Sequence, residues 1–532
     1  MNPSNQTYDQ PEKNTARERI VKAAVKALTD ERSSSPVVTV ETFGKTLDYC
    51  CRVLDKRKDG RLSEDLKPHI ASWLGLHNAR IGTKKPSELQ VLFLAGPDPV
   101  NDLMMFKHCG VAIENIWAIE KEKTNFALAV KASERHGIRV KLHRGSLESF
   151  FAVVPQQFDI VYFDAMAPFF GGRPNTFNVI RELFLNQRLS PLSVLVTNFA
   201  DVAKDSENAD AWAKRIGNWV YANGTDDTWT NLFPDYVCDQ VVPHLQQYYG
   251  EFITKFLIQF SAQMVPWWRV VALPGAKKEY FNDSKMLSDA AAKADASHLM
   301  SSALYPLLRQ VVFSDWNLDK SDPVFRLFFE KKLGEEKETL GDAVKASSLV
   351  RTFYETHFDG VWGSTKHVLD ACSPNLARVL GSFKWFDERS RFFCDVPMPN
   401  LIADLLFGLY GFPYHTNAQK IERFAYKAKE TVMFTDIMIL DQARYMYDLL
   451  PTLPLFETDF SVPQQLVLRV CMDAVHRHCH YGCKDIFWGS ALAGLGENGF
   501  TVWIPGAREC IGDPGVTFNE PDADGYEVSE EI

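Results

Sequence analysis

The sequence predicts an α/β fold, in which a mostly parallel sheet carries helices on both faces and helical regions precede and follow the sheet. From Leu89 to about residue 200, short apolar runs alternate with charged or mixed segments. This alternation is typical of strand-helix-strand units. Before the sheet, and over a long stretch after it, apolar residues recur at helical spacing. The length of 532 residues suits about three structural units.

Changes in composition divide the chain into six predicted segments. The polar stretch GTKKPSE precedes the first strand, and a polar, alanine-rich stretch follows the last part of the sheet region. Such stretches are typical of domain boundaries and linkers. The predicted segments are 1–14 (disordered), 15–85 (helical), 86–275 (sheet domain), 276–298 (linker), 299–510 (mainly helical domain) and 511–532 (acidic tail).

The net charge of −10 is unevenly distributed along the chain. Seven acidic residues and no Lys or Arg lie in the tail 511–532, so the rest of the chain is only mildly acidic. The overall charge argues against a generally basic, DNA-coated protein but leaves room for a local basic cleft. The hydrophobic share of 46% and the charged share of 24% exclude a wholly disordered or low-complexity chain.

The chain has no apolar, uncharged stretch of the length that a membrane span needs. Its polar start lacks the basic segment and apolar run of a secretion signal. We therefore expect a cytoplasmic protein with no membrane partner. Its ten cysteines are too few for a disulfide scaffold, and we expect most of them to be reduced and buried.

The candidate site residues follow the predicted strands. The first strand, VLFLAG, ends in Gly96, and a helix is expected to begin near Val100. A glycine between a strand and a helix lets a ligand approach the backbone N–H groups closely. The second strand ends in Glu120, where an acidic side chain can accept hydrogen bonds from a ribose diol. The fourth strand ends in Asp164, and parallel strands bring these positions to one edge of the sheet.

Over about residues 89–275 this pattern resembles the class I S-adenosylmethionine-dependent methyltransferases, which are Rossmann-like. The resemblance implies that S-adenosylmethionine is the cofactor and that Asp164 lies beside the transferred methyl group. The segment DAMAPF, ending near Pro168, resembles the loop by which amino-group methyltransferases hold a flat base. The other implied cofactor contacts are Gly96, Pro97 and Asp102 for the methionine part, Glu120 for the ribose, and Ser146 and Leu147 for the adenine.

Two alternatives remain for the predicted sheet domain. The loop after the first strand reads A-G-P-D-P, with one glycine where the resembled family has three. This departure favours a catalytically inactive, methyltransferase-like scaffold that binds a protein or nucleic acid in an assembly. A dehydrogenase is also conceivable because Glu120 suits a dinucleotide, but a pyrophosphate needs the missing second glycine more strictly.

A second cluster of reactive side chains occurs in CMDAVHRHCHYGC. On a continuous helix, His476, His480 and Cys483 would share one face and could hold zinc if a fourth ligand came from elsewhere. No C-x2-C pair is present, so we favour a buried, hydrogen-bonded helix without a metal.

A third pattern suggests contact with nucleic acid. On a predicted helix, Lys420, Arg423 and Lys427 share one face and follow an aromatic turn that contains Tyr414. Cations can bind phosphates while rings stack on bases. Glu422 and Glu430 nearly balance these cations, which favours an ordinary solvated helix. Taken together, the sequence predicts a methyltransferase that acts on a nucleic acid, with a protein or small molecule as the second choice of acceptor.

Overall fold

The computed structural model describes residues 10–44, 62–169, 176–202, 245–266, 411–449 and 508–514, together with positions 212, 216, 269 and 374. These residues form a nine-stranded mixed sheet with helices on both faces. The strands are β1 Val91–Leu94, β2 Ile116–Glu120, β3 Lys141–Arg144, β4 Phe158–Asp164, β5 Leu189–Ala200, β6 His415–Thr416, β7 Glu422–Ala428, β8 Thr431–Asp441 and β9 Glu509–Ile511. The α-helices are α1 Pro11–Leu28, α2 Leu62–Ile81, α3 Val100–His108, α4 Lys123–Arg135, α5 Leu147–Val153, α6 Thr176–Leu185, α7 Leu245–Gln259 and α8 Arg444–Tyr447.

The first five strands form the parallel part of the sheet, in the order β3-β2-β1-β4-β5. Parallel pairing joins β1 to both β2 and β4. Strands β2 and β3 therefore lie on one side of β1, and β4 and β5 lie on the other. The strand order reverses between β1 and β4. In open α/β sheets such a reversal leaves a crevice at the carboxyl ends of the strands, where ligands bind. The predicted α/β class with a mostly parallel sheet is confirmed.

The second part of the sheet comes from residues far along the chain. Strand β8 pairs antiparallel with β5 over nine residue pairs, from Leu192 opposite Asp441 to Ala200 opposite Met433. Strand β7 pairs antiparallel with β8, and β9 pairs parallel with β7. The sheet thus includes residues that the sequence assigned to a separate helical domain, 299–510. Most of that segment lies outside the described residues.

The prediction of a helix that carries Lys420, Arg423 and Lys427 on one face was wrong. Residues 422–428 form strand β7, and Lys420 lies in a short 3₁₀ turn before it. Apolar side chains at alternate positions, Phe424 and Tyr426, are buried against the sheet core. This two-residue period, followed by the β-branched and apolar run of β8, is the strand signal that the helical interpretation overlooked.

Helix α1 packs directly on the sheet. It begins at Pro11, inside the segment 1–14 that the sequence predicted to be disordered, and a proline suits the first position of a helix. Its apolar stripe, which includes Ile20, Val21 and Leu28, is buried in the same core cluster as β1, β5 and β7. The helix therefore covers the sheet near the carboxyl edge of β4.

Two apolar cores lie on opposite faces of the sheet. One contains α1, part of α2 and α3, with Trp73 and Phe106 fully buried. The other contains α5, α6 and α7 and is rich in phenylalanine rings, among them Phe150, Phe169 and Phe177. Side chains alternate between the cores along each strand, as Leu92 and Phe93 do in β1. Among the helices of the described residues, none combines the length and apolar character that a membrane crossing requires.

A buried charge network fastens the late strands to α7. The guanidinium of Arg508, just before β9, lies 2.7 Å from the carboxylate of Asp436 on β8. The other Asp436 oxygen accepts a hydrogen bond from Thr254 of α7 at 2.8 Å. Arg423 of β7 donates to Glu251 of α7 at 2.6 Å. The side chains of Arg508 and Asp436 are only 2% and 1% exposed, so each charge depends on the other for compensation.

Replacing Arg508 with Met should therefore destabilise the fold strongly. The variant leaves the carboxylate of Asp436 buried without its main cation, at an expected cost of about 3 to 5 kcal/mol. The matched control is Arg19→Met, because Arg19 pairs with Glu422 and Glu509 at the surface and should cost about 1 kcal/mol or less. Urea unfolding followed by circular dichroism measures both. Equal unfolding midpoints for the two variants would contradict this account of the network.

Candidate functional site

A cavity of about 490 Å³ opens at the carboxyl edge, where β1, β2 and β4 end. Its walls come from the loop after β1, the ends of β2 and β4, the start of α5, and α1. The lining residues that the sequence predicted are Gly96, Pro97, Asp102, Glu120, Ser146, Leu147 and Asp164. The structure thus brings these seven residues to one cavity, although they are spread over about 70 positions of the chain. Pro168, the remaining predicted residue of this set, does not line it.

The turn after β1 depends on Gly96. Its φ of +58° lies in the left-handed region, which side chains other than glycine rarely adopt. No atom lies within 4 Å of a Cβ built at this position, so the requirement for glycine is conformational rather than one of space. After the turn, the side chain of Asp98 accepts a hydrogen bond from the N–H of Val100 at 3.2 Å and covers the start of α3.

Glu120 ends β2 at the middle of the cavity. Its Oε1 accepts a hydrogen bond from the N–H of Glu122 at 2.7 Å, which fixes the carboxylate at the strand end. Its Oε2 makes no hydrogen bond with the described residues. One oxygen is therefore held by the protein and the other can accept hydrogen bonds from a ligand.

The start of α5 forms the wall opposite the glycine turn. Ser146 is the N-cap, and its Oγ accepts a hydrogen bond from the N–H of Ser149 at 3.2 Å. Leu147 is buried and presents an apolar surface. Glu148 also lines the cavity, and its Oε2 is enclosed without a hydrogen-bond donor among the described residues. A buried acceptor without a donor is costly.

Asp164 is the last residue of β4, and its carboxylate is held by a hydrogen bond and by an ion pair. Its Oδ1 accepts a hydrogen bond from the amide of Asn198 at 2.6 Å, and its Oδ2 lies 3.2 Å from the ammonium of Lys13. The same Asn198 amide donates to the hydroxyl of Tyr426 at 2.8 Å, and its oxygen accepts from Thr435 at 2.9 Å. Asp164 is thereby positioned by β5, β7 and β8 together. The side chain remains 19% exposed, toward the cavity.

Two phenols lie close to this carboxylate but are poor proton acceptors. Burial raises the pKa of Tyr426, and the Asp164 charge adds to the rise. Burial likewise raises the pKa of Tyr162 well above its usual value, again with a contribution from Asp164. Both phenols are therefore neutral at physiological pH. Among these three groups, Asp164 is the one that can orient or accept a proton from a nucleophile in the cavity.

Asp102 already has a cationic partner from the protein itself. The Nε of Arg17 on α1 lies 2.6 Å from its Oδ1, and the other end of the guanidinium donates to Asn14 at 2.8 Å. Burial raises the pKa of Asp102, and the Arg17 charge opposes this rise. In the structure, therefore, the carboxylate predicted to contact the methionine part of the cofactor neutralises a buried arginine.

Lys13 and Arg17 are the site residues that the sequence analysis missed. Both line the cavity, and α1 brings them there from about 80 to 150 residues before their partners Asp102 and Asp164. One signal was present: Arg17 interrupts the apolar stripe formed by Ile20, Val21 and Ala24. A cation inside the buried face of a helix indicates a buried anionic partner.

The predicted nucleic-acid contacts do not form a surface. Tyr414 is buried, and its hydroxyl donates to the carbonyl of Leu189 at 2.6 Å. Arg423 is buried in the ion pair with Glu251. Lys420 donates to Ser34 at 2.7 Å, and Lys427 lies 3.3 Å from Glu430. Because residues 422–428 form a strand, the single helical face on which this prediction depended does not exist.

The other predicted cluster, His476, His480 and Cys483, lies outside the described residues. Within the part of the chain that the structure describes, no group of three or more His, Cys, Asp or Glu side chains is arranged to hold a metal ion.

Comparison of the sequence with models of known protein families gave no match, and comparison with curated proteins gave no match either. The cavity and its residues are therefore the features that indicate function.

The ion pair of Arg17 with Asp102 should be important for stability. Arg17→Met leaves the Asp102 carboxylate buried without a cation and should cost about 3 kcal/mol or more. Adding Asp102→Asn removes the unpaired charge, so the double variant should recover a large part of that loss. Lys13→Met, which removes a partly exposed cation from the same helix, should cost about 1 kcal/mol. Urea unfolding of the four proteins tests this, and a double variant no more stable than Arg17→Met would contradict it.

Proposed function

We propose that this protein is an S-adenosylmethionine-dependent methyltransferase acting on a nucleic acid or another macromolecule. The observation that carries the proposal is the meeting of the Gly96 turn, Glu120 and Asp164 in one cavity at the point where the strand order reverses. Ligands of open α/β folds bind at this point. The cavity volume of about 490 Å³ is also in the range typical of small-molecule sites.

The hydrogen-bonding capacity of the cavity fits a nucleoside at one end. Glu120 has a carboxylate oxygen for the ribose hydroxyls, and Glu148, which lines the cavity next to Leu147, has a carboxylate for an exocyclic amino group. Ser146 caps its own helix, so its backbone and the Leu147 side chain, rather than the Ser146 hydroxyl, would border the adenine ring. Glu148 thus joins the residues that the sequence predicted for this end.

The opposite end of the cavity suits a charged amino-acid moiety and an acceptor. Gly96 and Pro97 present backbone there, and Arg17 and Lys13 contribute cations close to Asp102 and Asp164. Either cation can attract a carboxylate of the bound cofactor. When bound, S-adenosylmethionine supplies an electrophilic methyl group whose sulfonium centre leaves as a neutral thioether.

The role we assign to Asp164 is to orient the acceptor and take up its proton. The ammonium of Lys13 at 3.2 Å shows that the exposed Oδ2 can accept a hydrogen bond from a nitrogen at this position. An acceptor amine or hydroxyl that displaces Lys13 would be held with its proton directed at the carboxylate. Because the leaving group is neutral, positioning accounts for much of the acceleration, and Asp164 is positioned through Asn198.

The alternative is a catalytically inactive scaffold that binds a protein or nucleic acid in an assembly. Two observations favour it: the loop A-G-P-D-P has a single glycine, and both Asp102 and Asp164 are neutralised by cations of α1. A dehydrogenase fits less well because the loop lacks the second glycine that a pyrophosphate requires. Binding of S-adenosylmethionine distinguishes the methyltransferase from the inactive scaffold.

Isothermal titration calorimetry with S-adenosylmethionine should detect binding at about micromolar affinity, and Glu120→Ala should weaken it about tenfold or more. The lost hydrogen bonds between the carboxylate and the ribose account for about 1.5 to 3 kcal/mol. Glu122→Ala is the matched control, since it removes an exposed neighbouring carboxylate that does not line the cavity, and should bind like the wild type. Absence of binding by the wild type at millimolar cofactor would reject the enzyme and favour the scaffold.

Asp164→Asn should lower kcat for methyl transfer about 100-fold, while the affinity for S-adenosylmethionine changes less than about threefold. The amide can still interact with Asn198 but cannot take up a proton, and loss of a general base costs about this factor. Transfer of labelled methyl groups to total RNA, DNA and protein measures the rate, with Glu122→Gln as the control. Unchanged kcat in Asp164→Asn would remove Asp164 from the mechanism.

A further inference from the structure

Seven exposed cations follow one another from Lys121 along α4, the connection after it and the edge strand β3, beside the cavity. Within residues 121–144 the chain carries seven Lys and Arg residues and two acidic ones, Glu122 and Glu134, which gives a net charge of +5. All seven cationic residues are exposed. The residues of this α4-β3 surface are Lys121, Lys123, Lys131, Arg135, Arg139, Lys141 and Arg144.

The part of the fold that the structure describes does not neutralise the cations of this surface. None of the seven forms an ion pair within 4 Å with a carboxylate of the described residues. On α1, by contrast, the exposed Lys22 and Lys26 lie 2.5 and 2.6 Å from Glu18 and Glu31. The α4-β3 surface therefore keeps its charge in solution, on a chain whose net charge is −10. A local field of this sign attracts polyanions.

The arrangement also brings two like charges close together on α4. Lys131 and Arg135 are one turn apart on α4, where two cations repel and destabilise a helix by a few tenths of a kcal/mol. The helix dipole offsets this only for Arg135, in the last turn. Lys141, on β3, lies over the ring of Trp117 at 5.3 Å, and this leaves its ammonium exposed beside an aromatic face.

The surface is continuous with the cavity. Lys121 belongs to both, and Arg144 lies directly across from Glu120 in the pairing of β3 with β2. Helix α4 has 13 residues, so its cations spread over about 20 Å from the cavity rim. Asp164 is the last residue of β4, which lies three strands from β3 in the sheet. The ends of β3 and β4 are therefore about 14 Å apart.

We infer that the α4-β3 surface binds the phosphate backbone of a nucleic acid whose adjoining nucleotides reach the cavity. Seven cations over about 20 Å suit a run of phosphates better than a single small anion. A lipid surface fits less well, because a helix lying on a membrane needs an apolar face. The exposed large apolar residue of α4 is Leu128.

This inference deepens the proposed function by naming the class of acceptor, and its acceptor role rests on that function. It also places nucleic-acid contact on a different surface from residues 414–427. Binding itself can be measured without any methyl transfer, so the two proposals can fail separately.

The experiment measures fluorescence anisotropy of labelled oligonucleotides of about 20 nucleotides with the full-length protein, as single-stranded RNA, single-stranded DNA and duplex DNA, over a range of salt concentrations. The test variant is Lys131→Gln/Arg135→Gln, and a second variant, Arg139→Gln/Lys141→Gln, guards against a local folding defect. The matched control is Lys22→Gln/Lys26→Gln, which removes two equally exposed cations from α1. Vesicles containing phosphatidylserine serve as the competing polyanion.

For a bound single strand, loss of two phosphate contacts should lower the salt slope of log K by about 1.4 and weaken binding about 10- to 30-fold at about 100 mM salt. The control should change affinity less than twofold. The inference is overturned if the wild type binds none of the three oligonucleotides, if both test variants bind like the control, or if only the vesicles respond to the substitutions.

Calorimetry with S-adenosylmethionine separates this inference from the proposed function. Lys131→Gln/Arg135→Gln should bind the cofactor like the wild type, because neither residue lines the cavity. A wild type that binds the cofactor but no nucleic acid would reject the surface and leave the methyltransferase standing. A wild type that binds nucleic acid but no cofactor would keep the surface and reject the methyltransferase.

Discussion

The antiparallel pairing of β5 with β8 is the interaction on which the rest of the described structure depends. It joins residues 189–200 to residues 431–441, more than 230 positions later in the chain, through nine residue pairs. Loop closure over such a separation is entropically unfavourable. The burial of apolar side chains on both faces of a long strand offsets this cost in free energy. The pairing is also what brings Thr435 of β8 and Tyr426 of β7 to the side chain of Asn198. Through Asn198 it fixes the carboxylate of Asp164, so the geometry of the cavity depends on strands that follow it in sequence.

Charge has two different roles at the carboxyl edge. Inside the cavity, anions and cations are paired across elements: Arg17 of α1 with Asp102 of α3, and Lys13 of α1 with Asp164 of β4. These pairs hold α1 across the strand ends and leave a site that is close to neutral at the end where we place the acceptor. On the outer side, α4 and β3 carry exposed cations that form no ion pair with a carboxylate of the described residues. The ion pairs of α1 hold the walls of the proposed active site in place. The exposed cations of α4 and β3 are the groups that we infer to bind phosphates.

The cavity has hydrogen-bonding groups for a nucleoside even though its glycine turn departs from the resembled family. Gly96 is required because the turn after β1 has a φ of +58° at this position. Glu120 and Glu148 also line the cavity, and they belong to β2 and α5 rather than to the glycine loop. Under the proposed function, Glu120 and Glu148 would recognise the nucleoside end of the cofactor, and the cations of α1 would recognise the methionine end.

The sequence by itself determined the parallel half of the sheet and the edge at which its polar residues meet. Short apolar runs ending in Gly96, Glu120 and Asp164 specify strands whose carboxyl ends must converge, because parallel strands share one direction. Local patterns also contained the signal for β7, in the alternation of Phe424 and Tyr426, although a helical spacing of Lys420, Arg423 and Lys427 concealed it.

Only the tertiary structure decided which charges are paired. Arg17 and Asp102 are 85 residues apart, and Arg508 and Asp436 are 72 apart, so no local spacing links either pair. It decided likewise that Arg423 is buried while Lys131 and Arg135 are exposed. The physical reason is that burial and long-range ion pairing are properties of packed faces, and a sequence specifies how its elements alternate more directly than which faces they share.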